Sequence, residues 1–282
     1  MRVPISLRTV ALAATVALTV AACGDGDTAA TPEPTGTPGT APAFDLVEEG
    51  VLTVCSDIPY PPFEFEDPER AGEYTGYDID LMRAAADRLG LQLEVVVTSF
   101  DAIRSGTAMA ADQCDVAASA ITITAERDEN LDFTDPYSNA DQSLLVRAED
   151  HDKYASLPDL AGQAIGVQAA TTGEEYAREN KPEGATITAY EDAGALFTAL
   201  TAGEIDAILQ DFPVNAYQAT QDESVVVVER FPTGEQYGFA VAEGNTDLRD
   251  AINEALHEIE GDNEFTEIYR RYFGEDPPDD LL

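Results

Sequence analysis

The chain alternates short apolar runs with stretches whose apolar residues recur every three or four positions, and it does so twice with similar punctuation. In the first round Val51–Ser56 reads as a buried strand, and residues 78–89 place Ile79, Met82, Ala86 and Leu89 on one helical face before a stop at Gly90. Residues 91–97 form the next strand, a second helix starts near Ser99, and 115–119 is a strand of small residues that runs out at Thr122. The second round predicts strands at Ala164–Gln168, Thr186–Tyr190 and 205–210, with helices opening at Thr172 and spanning Ala193–Ala202 before Gly203. Strands alternating with helices imply an α/β fold of parallel sheets covered on both faces.

The chain continues past the second unit. Residues 236–241 predict another strand, and helices are expected at 247–260 and Glu264–Phe273. The first of these carries an apolar stripe of Leu248, Ala251, Ile252, Ala255, Leu256 and Ile259 that needs a surface to cover. The economical topology returns this tail to the first unit, so that two strands cross between the units, near 139–145 and 233–239. The expectation is one lobe of residues 44–140 and 235–282, a second of 141–234, and a double hinge that lets them close on a ligand.

The N-terminus changes the picture by supplying an address. Arg2 and Arg8 precede an apolar run over residues 10–22 that is shorter than the ~20 residues of a membrane span, so residues 1–22 read as a signal peptide. Val20-Ala21-Ala22-Cys23 matches a bacterial lipobox, which predicts cleavage before Cys23 and lipid attachment to its sulfur. The alternative is an ordinary signal peptide with Cys23 near the cut by chance. Residues 24–43 contain no apolar side chain larger than alanine, so 23–43 is expected to be a flexible tether. The remaining residues, roughly 240, contain no second long apolar segment, which predicts a soluble body, expected to be a monomer and lipid-anchored on the outer face of the cell membrane through Cys23.

Charge and cysteine content narrow the class further. With 15 Lys+Arg against 55 Asp+Glu the formal net charge is −40, which argues against a nucleic-acid partner and for a solvated, self-repelling surface. Lipidation of Cys23 leaves Cys55 and Cys114. If their strands run level, the sulfurs sit roughly 13 Å apart along the strand direction, beyond the ~7 Å between Cα atoms that a disulfide tolerates, so pairing is not expected.

In open parallel sheets the ligand crevice lies beyond the carboxyl ends of the strands, which directs attention to residues 56–65, 119–127, 168–175 and 210–213. They hold an aromatic and proline cluster (DIPYPPFEF), a hydroxyl-rich turn ending in arginine (SAITITAER), a Thr-Thr-Gly helix start (AATTGEE) and an acid after an apolar strand (QDFP). Arg127 is suited to bidentate capture of a carboxylate, or else to a surface ion pair with Asp128 or Glu126. Thr172 to Glu175 reads as a capping box with Thr172 as N-cap, and a helix start also offers N–H groups to an anion. Asp211 is placed to meet an ammonium group, or is an acidic turn residue before Phe212-Pro213. Tyr60 and Phe100 are either walls for a ligand stem or core aromatics.

These segments, together with LDFTDPY and the closing IYRRYFG, make the chain resemble the bacterial extracellular solute-binding proteins of family 3, the polar amino acid receptors of ATP-driven importers, from about residue 44 to 274. The resemblance implies a two-lobed periplasmic-binding-protein-like (type II) fold with two hinge strands, an amino acid ligand, and a permease and ATPase as partners. It implies that Arg127, Thr171 and Thr172 hold the ligand α-carboxylate. Asp211 would hold the α-amino group, with the Ala120 carbonyl and Thr122 hydroxyl as further partners. Asp57, Tyr60, Phe63 and Phe100 would surround the side chain. The crevice segments carry no arginine besides Arg127, so a basic amino acid (arginine, lysine or histidine) is favoured, with glutamine next. The pattern departs from the family at Ala120 and Ala170, where glycine is frequent, and at Ala125, where proline is common.

Two other readings stand beside this one. Some proteins of the same fold are dehydratases of cyclic, carboxylate-bearing precursors, which need a positioned acid or base. Glu64 and Asp57 are possible acids, while His151 and His257, the two histidines, are expected on the surface. A sensor domain for amino acids is the third. No cofactor is called for: no ligand-spaced His/Cys cluster or phosphate-binding Gly loop occurs, and neither a metal site nor catalysis is expected.

Overall fold

A computed structural model describes residues 44–278. The expected signal peptide, Cys23 and all of the expected tether lie outside the described residues, as do residues 279–282.

In chain order the first sheet and its helices comprise β1 (Val51–Ser56), a small hairpin of β2 (Phe65–Glu66) and β3 (Tyr74–Thr75), α1 (Tyr77–Leu89), β4 (Gln92–Val97), α2 (Phe100–Arg104), α3 (Thr107–Ala110), β5 (Val116–Ala117) and β6 (Leu131–Phe133). Next come β7 (Ser138–Arg147), β8 (Ala164–Gln168), α4 (Thr172–Asn180), β9 (Thr186–Tyr190), α5 (Ala193–Ala202), β10 (Ala207–Asp211), α6 (Phe212–Gln221) and β11 (Val225–Tyr237). The chain closes with β12 (Ala240–Ala242), α7 (Thr246–Gly261) and α8 (Glu264–Phe273). One five-stranded sheet has the order β4-β1-β5-β12-β6, the other β11-β7-β10-β8-β9.

The local signals act as expected at several ends. Gly90 and Gly203 take left-handed conformations, with φ 72° and 75°, and their N–H groups cap the last carbonyls of α1 and α5. Asp192 caps α5 by accepting from the Ala195 N–H. In α7 the stripe residues Leu248, Ile252, Ala255, Leu256 and Ile259 are buried, and they pack in one cluster with Leu52, Leu81 and Met82 beneath the first sheet. The tail therefore returns to the first unit, and β12 is built into its sheet.

The expectation of wholly parallel sheets needs correction. The pairs β1–β4, β1–β5, β8–β9 and β8–β10 are parallel, but β12 runs antiparallel to β5 and β6, and β7 antiparallel to β10 and β11. The antiparallel members are the strands that cross between the sheets and the one that returns, since each must reverse direction to do so. The strand expected over 236–241 is broken at Gly238 and Phe239, where the chain leaves β11 and enters β12. At that break Gly238 N donates to the Ile121 carbonyl and Tyr137 N to the Tyr237 carbonyl, tying both crossing segments together. Register shifts in β11 between Val227 and Glu229 and between Phe231 and Glu235 bend the crossing ribbon.

The cysteines also depart from expectation: Cys55 and Cys114 are disulfide-bonded, with their Cα atoms 5.6 Å apart. The argument for a large separation assumed that Cys114 begins an extended strand. Strand β5 starts only at Val116, and a turn after α3 carries Cys114 sideways to Cys55, with Asp115 N donating to the Thr53 carbonyl at 2.9 Å. Asp115 then anchors the turn by accepting from Thr53 N and Val47 N. Thiol titration of the unreduced, denatured body is expected to find no free thiol; two thiols per chain would contradict the bond.

Candidate functional site

The carboxyl ends of the parallel strands in both sheets converge on one small cavity, lined by Asp57, Tyr60, Phe100, Ser119, Ala120, Thr122, Arg127, Gln168, Thr171, Thr172 and Asp211. Nine of the ten residues predicted for the site line it. Phe63 is the exception and is corrected here: its fully buried ring packs edge-on against Tyr77, Tyr237 and Phe273, because the turn that aims Tyr60 at the cavity aims Phe63 inward.

Arg127 opens a short 3-10 turn (Arg127–Glu129) after β5 and is buried. Its Nη1 donates to the Thr122 carbonyl at 2.7 Å, and its guanidinium lies 5.3 Å from the centre of the Phe100 ring. The surface ion pair considered above does not form: Asp128 is exposed, and Glu126 faces Arg104 at 3.8 Å. No salt bridge to Arg127 exists among the described residues. Burial lowers its pKa, opposed by the more distant charges of Asp211 and Glu175.

Across the cavity Asp211 ends β10 as the complementary case. Its carboxylate accepts from Tyr60 Oη at 2.8 Å, Tyr237 Oη at 2.5 Å and Gln142 Nε2 at 2.6 Å, and no cation pairs with it among the described residues. Burial raises its pKa, with the Tyr237 hydrogen bond acting the other way. A guanidinium without an anion and a carboxylate without a cation thus face one cavity.

The opposite helix start differs from expectation by one residue. Thr171, not Thr172, is the N-cap of α4, accepting from Glu174 N at 3.1 Å, and Glu174 accepts in turn from Ala170 N at 2.7 Å. Ala170 adopts φ 66°, a left-handed conformation that redirects the chain just before the cap. The shift leaves the Thr172 hydroxyl free to face the cavity, where it lies 3.4 Å from the Thr122 hydroxyl of the other sheet. Ala120 also has positive φ, 44°. Both departures from the frequent glycine therefore fall where glycine is the unstrained residue, and alanine holds the same backbone path.

At the far end of the cavity Asp57 follows β1, and its Oδ2 accepts from Gln168 Nε2 at 2.5 Å across the two sheets. Burial raises its carboxyl to about 6, the Gln168 hydrogen bond offsetting part of the rise. Gln168 and Ser119 were not singled out from sequence, although both lie in strand-end segments that were. Gln142 and Tyr237 were missed because Gln142 lies within β7 and Tyr237 closes β11, the crossing strands, outside the strand-end segments singled out from sequence. His151 and His257 are exposed, at 57% and 63% of their side-chain surface, away from the cavity.

With this geometry in hand, the comparison with known proteins is decisive about kinship: the model of the bacterial extracellular solute-binding proteins, family 3, matches residues 52–275. The chain belongs to that family. Among family relatives, it is 30% identical over 231 residues to the L-cystine-binding protein TcyJ of Escherichia coli K12, covering 81% of this chain and 85% of that protein. Among solved structures, an ancestral arginine-binding protein bound to arginine matches with a TM-score of 0.73 at 34% identity, covering 80% of this chain and 99% of that one. An ancestral amino acid-binding protein described as a precursor of cyclohexadienyl dehydratase matches with a TM-score of 0.73 at 37% identity, covering 79% and 96%. The two-lobed α/β architecture is that of these amino acid-binding proteins, and the family's members are extracytoplasmic solute receptors. Among the described residues no helix is long and apolar enough to cross a membrane.

Proposed function

We propose that this family member is the lipid-anchored, monomeric receptor of an amino acid importer, working with a permease and ATPase, and that it closes residues 44–140 and 235–282 over residues 141–234 around a basic L-amino acid. The observation that carries the reading is the pair of unmatched buried charges. An α-carboxylate completes Arg127, with Thr171 and Thr172 as further donors, and an α-ammonium completes Asp211, with the Ala120 carbonyl and Thr122 hydroxyl nearby. These contacts come from both sheets, so closure is stabilised by the ligand itself.

Charge arithmetic supports a basic side chain. The ionisable acids and bases lining the cavity are Asp57, Asp211 and Arg127, two negative and one positive. A zwitterion with a cationic side chain supplies the complementary excess, its charged end reaching Asp57 beside the aromatic walls of Tyr60 and Phe100. Glutamine leaves Asp57 uncompensated, but a carboxyl that titrates near 6 is neutralised at little cost, which keeps glutamine as the next ligand. A dehydratase remains the second reading, favoured by the structural likeness to the dehydratase precursor. Against it, Glu64 does not line the cavity.

The test is calorimetric titration of the protein, unfolded and refolded to strip co-purified ligand, against the standard amino acids. Tight binding of arginine, lysine or histidine is expected; turnover of a cyclic precursor with no amino acid binding would reverse the ranking. Asp57→Ala is expected to weaken arginine about tenfold and glutamine little, the usual scale for losing one charge-assisted contact. The pH sign follows from Asp57: below about 6 it is neutral, so wild-type preference for arginine over glutamine should shrink as pH falls through 6. Equal loss of both ligands in Asp57→Ala would refute the assignment.

A further inference from the structure

Behind the cavity wall lie two acids that the ligand contacts do not use. Glu64 and Asp78 are both 0% exposed, and each has one buried carboxyl oxygen, Glu64 Oε2 and Asp78 Oδ1, with no hydrogen-bond partner. Their other oxygens hold consecutive residues of the cavity wall. Ser119 Oγ donates to Glu64 Oε1 at 2.9 Å, and Ala120 N donates to Asp78 Oδ2 at 2.8 Å. The same Ser119 hydroxyl accepts from Asp57 N, so the specificity end rests on it too. The backbones bring the two acids together, since Asp78 N donates to the Phe63 carbonyl and Gly76 leaves no room for a Cβ against that carbonyl.

We infer that Glu64 and Asp78 hold one proton between them, and that the protonated pair is a positioning device for the Ser119–Ala120 turn of the ligand site. Asp78 is the anion. It occupies the first turn of α1, where the helix dipole favours negative charge, and Ala120 N–H and Tyr137 Oη–H both donate to its Oδ2. Glu64 is the acid, its Oε2–H donating to Asp78 Oδ1, which satisfies both orphaned oxygens with a single hydrogen.

Two adjacent buried carboxylates do not both ionise without a cation, and no Lys or Arg pairs with either among the described residues. The titratable groups that interact with the pair are Tyr77, Tyr137, Tyr60, Asp57 and Asp211, all acids and phenols. Burial raises Asp78 to about 7, and burial followed by the charge of Asp78 raises Glu64 well above the carboxylate range. Loss of the shared proton sets two charges against each other and releases the turn that holds Asp57 N and presents the Ala120 carbonyl. Affinity therefore falls at alkaline pH.

The pH-linked affinity rests on the amino acid reading, whereas the shared proton does not, and the experiment separates them. Infrared spectra of the unliganded protein at pH 7 should show the carbonyl stretch of a buried protonated carboxyl, absent in Glu64→Gln. Titrations with L-arginine from pH 6 to 10 should weaken at the alkaline end by up to about tenfold per pH unit, the limit set by one linked proton. Glu64→Gln, whose amide replaces the acid hydrogen, should restore affinity and remove that fall, apart from the loss of the ligand's own ammonium. Glu64→Ala should lose about tenfold throughout. No protonated-carboxyl band, or a Glu64→Gln profile that superimposes on wild type, overturns the proposal. If arginine does not bind at all, the infrared comparison still decides the shared proton.

Discussion

Arg127→Met is expected to abolish tight amino acid binding while making the unliganded protein more stable. The two effects have one cause. Arg127 is buried against Phe100 and Thr122 without a counter-ion, so the unliganded fold carries the desolvation cost of a charge that only a ligand carboxylate offsets. Removing the guanidinium leaves the ligand carboxylate unpaired in the closed cavity, at about 2–5 kcal/mol or roughly 30- to several-thousand-fold in affinity. Replacing the unpaired charge by a side chain of similar length should raise stability by about 1 kcal/mol, because buried ions are often outdone by apolar packing. The gain is reduced by the Thr122 carbonyl, which loses its 2.7 Å donor. Denaturant unfolding of stripped protein checks the second effect and calorimetry the first. Agmatine, which is arginine without its carboxylate, separates the ligand role from a structural one, since its affinity should be no lower in Arg127→Met than in wild type. A variant that unfolds would show that Arg127 braces the Thr122 turn instead, and one that keeps arginine affinity would show that Arg127 does not hold the carboxylate.

The parts of this fold legible in the sequence are those whose cause is local. Gly90 and Gly203 stop helices because their conformations are left-handed, and the stripe of α7 is buried because its spacing puts it on one face. The cavity was legible through a topological rule, that clefts open beyond strand carboxyl ends, which picked out the segments that carry Asp57, Tyr60, Thr122, Arg127, Thr171, Thr172 and Asp211, the family resemblance then singling out residues within them. Where that rule and local pattern failed, the deciding contact came from elsewhere. Phe63 belongs to an aromatic core assembled by Tyr77, Tyr237 and Phe273, which no run of consecutive residues reveals. Cys114 meets Cys55 because a turn after α3 moves it sideways, and strand spacing says nothing of turns. The cap of α4 shifted by one residue because a left-handed Ala170 sets where the helix begins, a conformation sequence pattern assigns to glycine. Gln142 reaches Asp211 as its partner on the neighbouring strand β7 and Tyr237 reaches it from the end of β11, so their role follows from strand pairing within one sheet, which no run of consecutive residues reveals.

That convergence on Asp211 shapes the second large effect. Asp211→Asn is expected to weaken amino acids by about 2–4 kcal/mol, or roughly 30- to 1,000-fold, although the substituted amide fits the same space. Tyr60, Tyr237 and Gln142 present neutral donors to the carboxylate, which orient it without discharging it, and the ligand ammonium is the cation it lacks. The contrast that proves the contact is 5-guanidinopentanoate, arginine without its α-amino group: its affinity should be no lower in Asp211→Asn than in wild type. A penalty as large as that seen with arginine would mean that Asp211 only organises Tyr60 and Tyr237. The sign of the stability change follows from linkage. Burial raises the folded-state pKa of Asp211 above its unfolded value, so the unfolded chain holds fewer protons in that window and stability falls as pH rises from about 4 through the folded value. Asparagine does not titrate, so unliganded Asp211→Asn should lose that part of the decline and gain on wild type toward neutral pH. With arginine bound the order should reverse, because the ammonium then stabilises the ionised carboxylate that the variant no longer has.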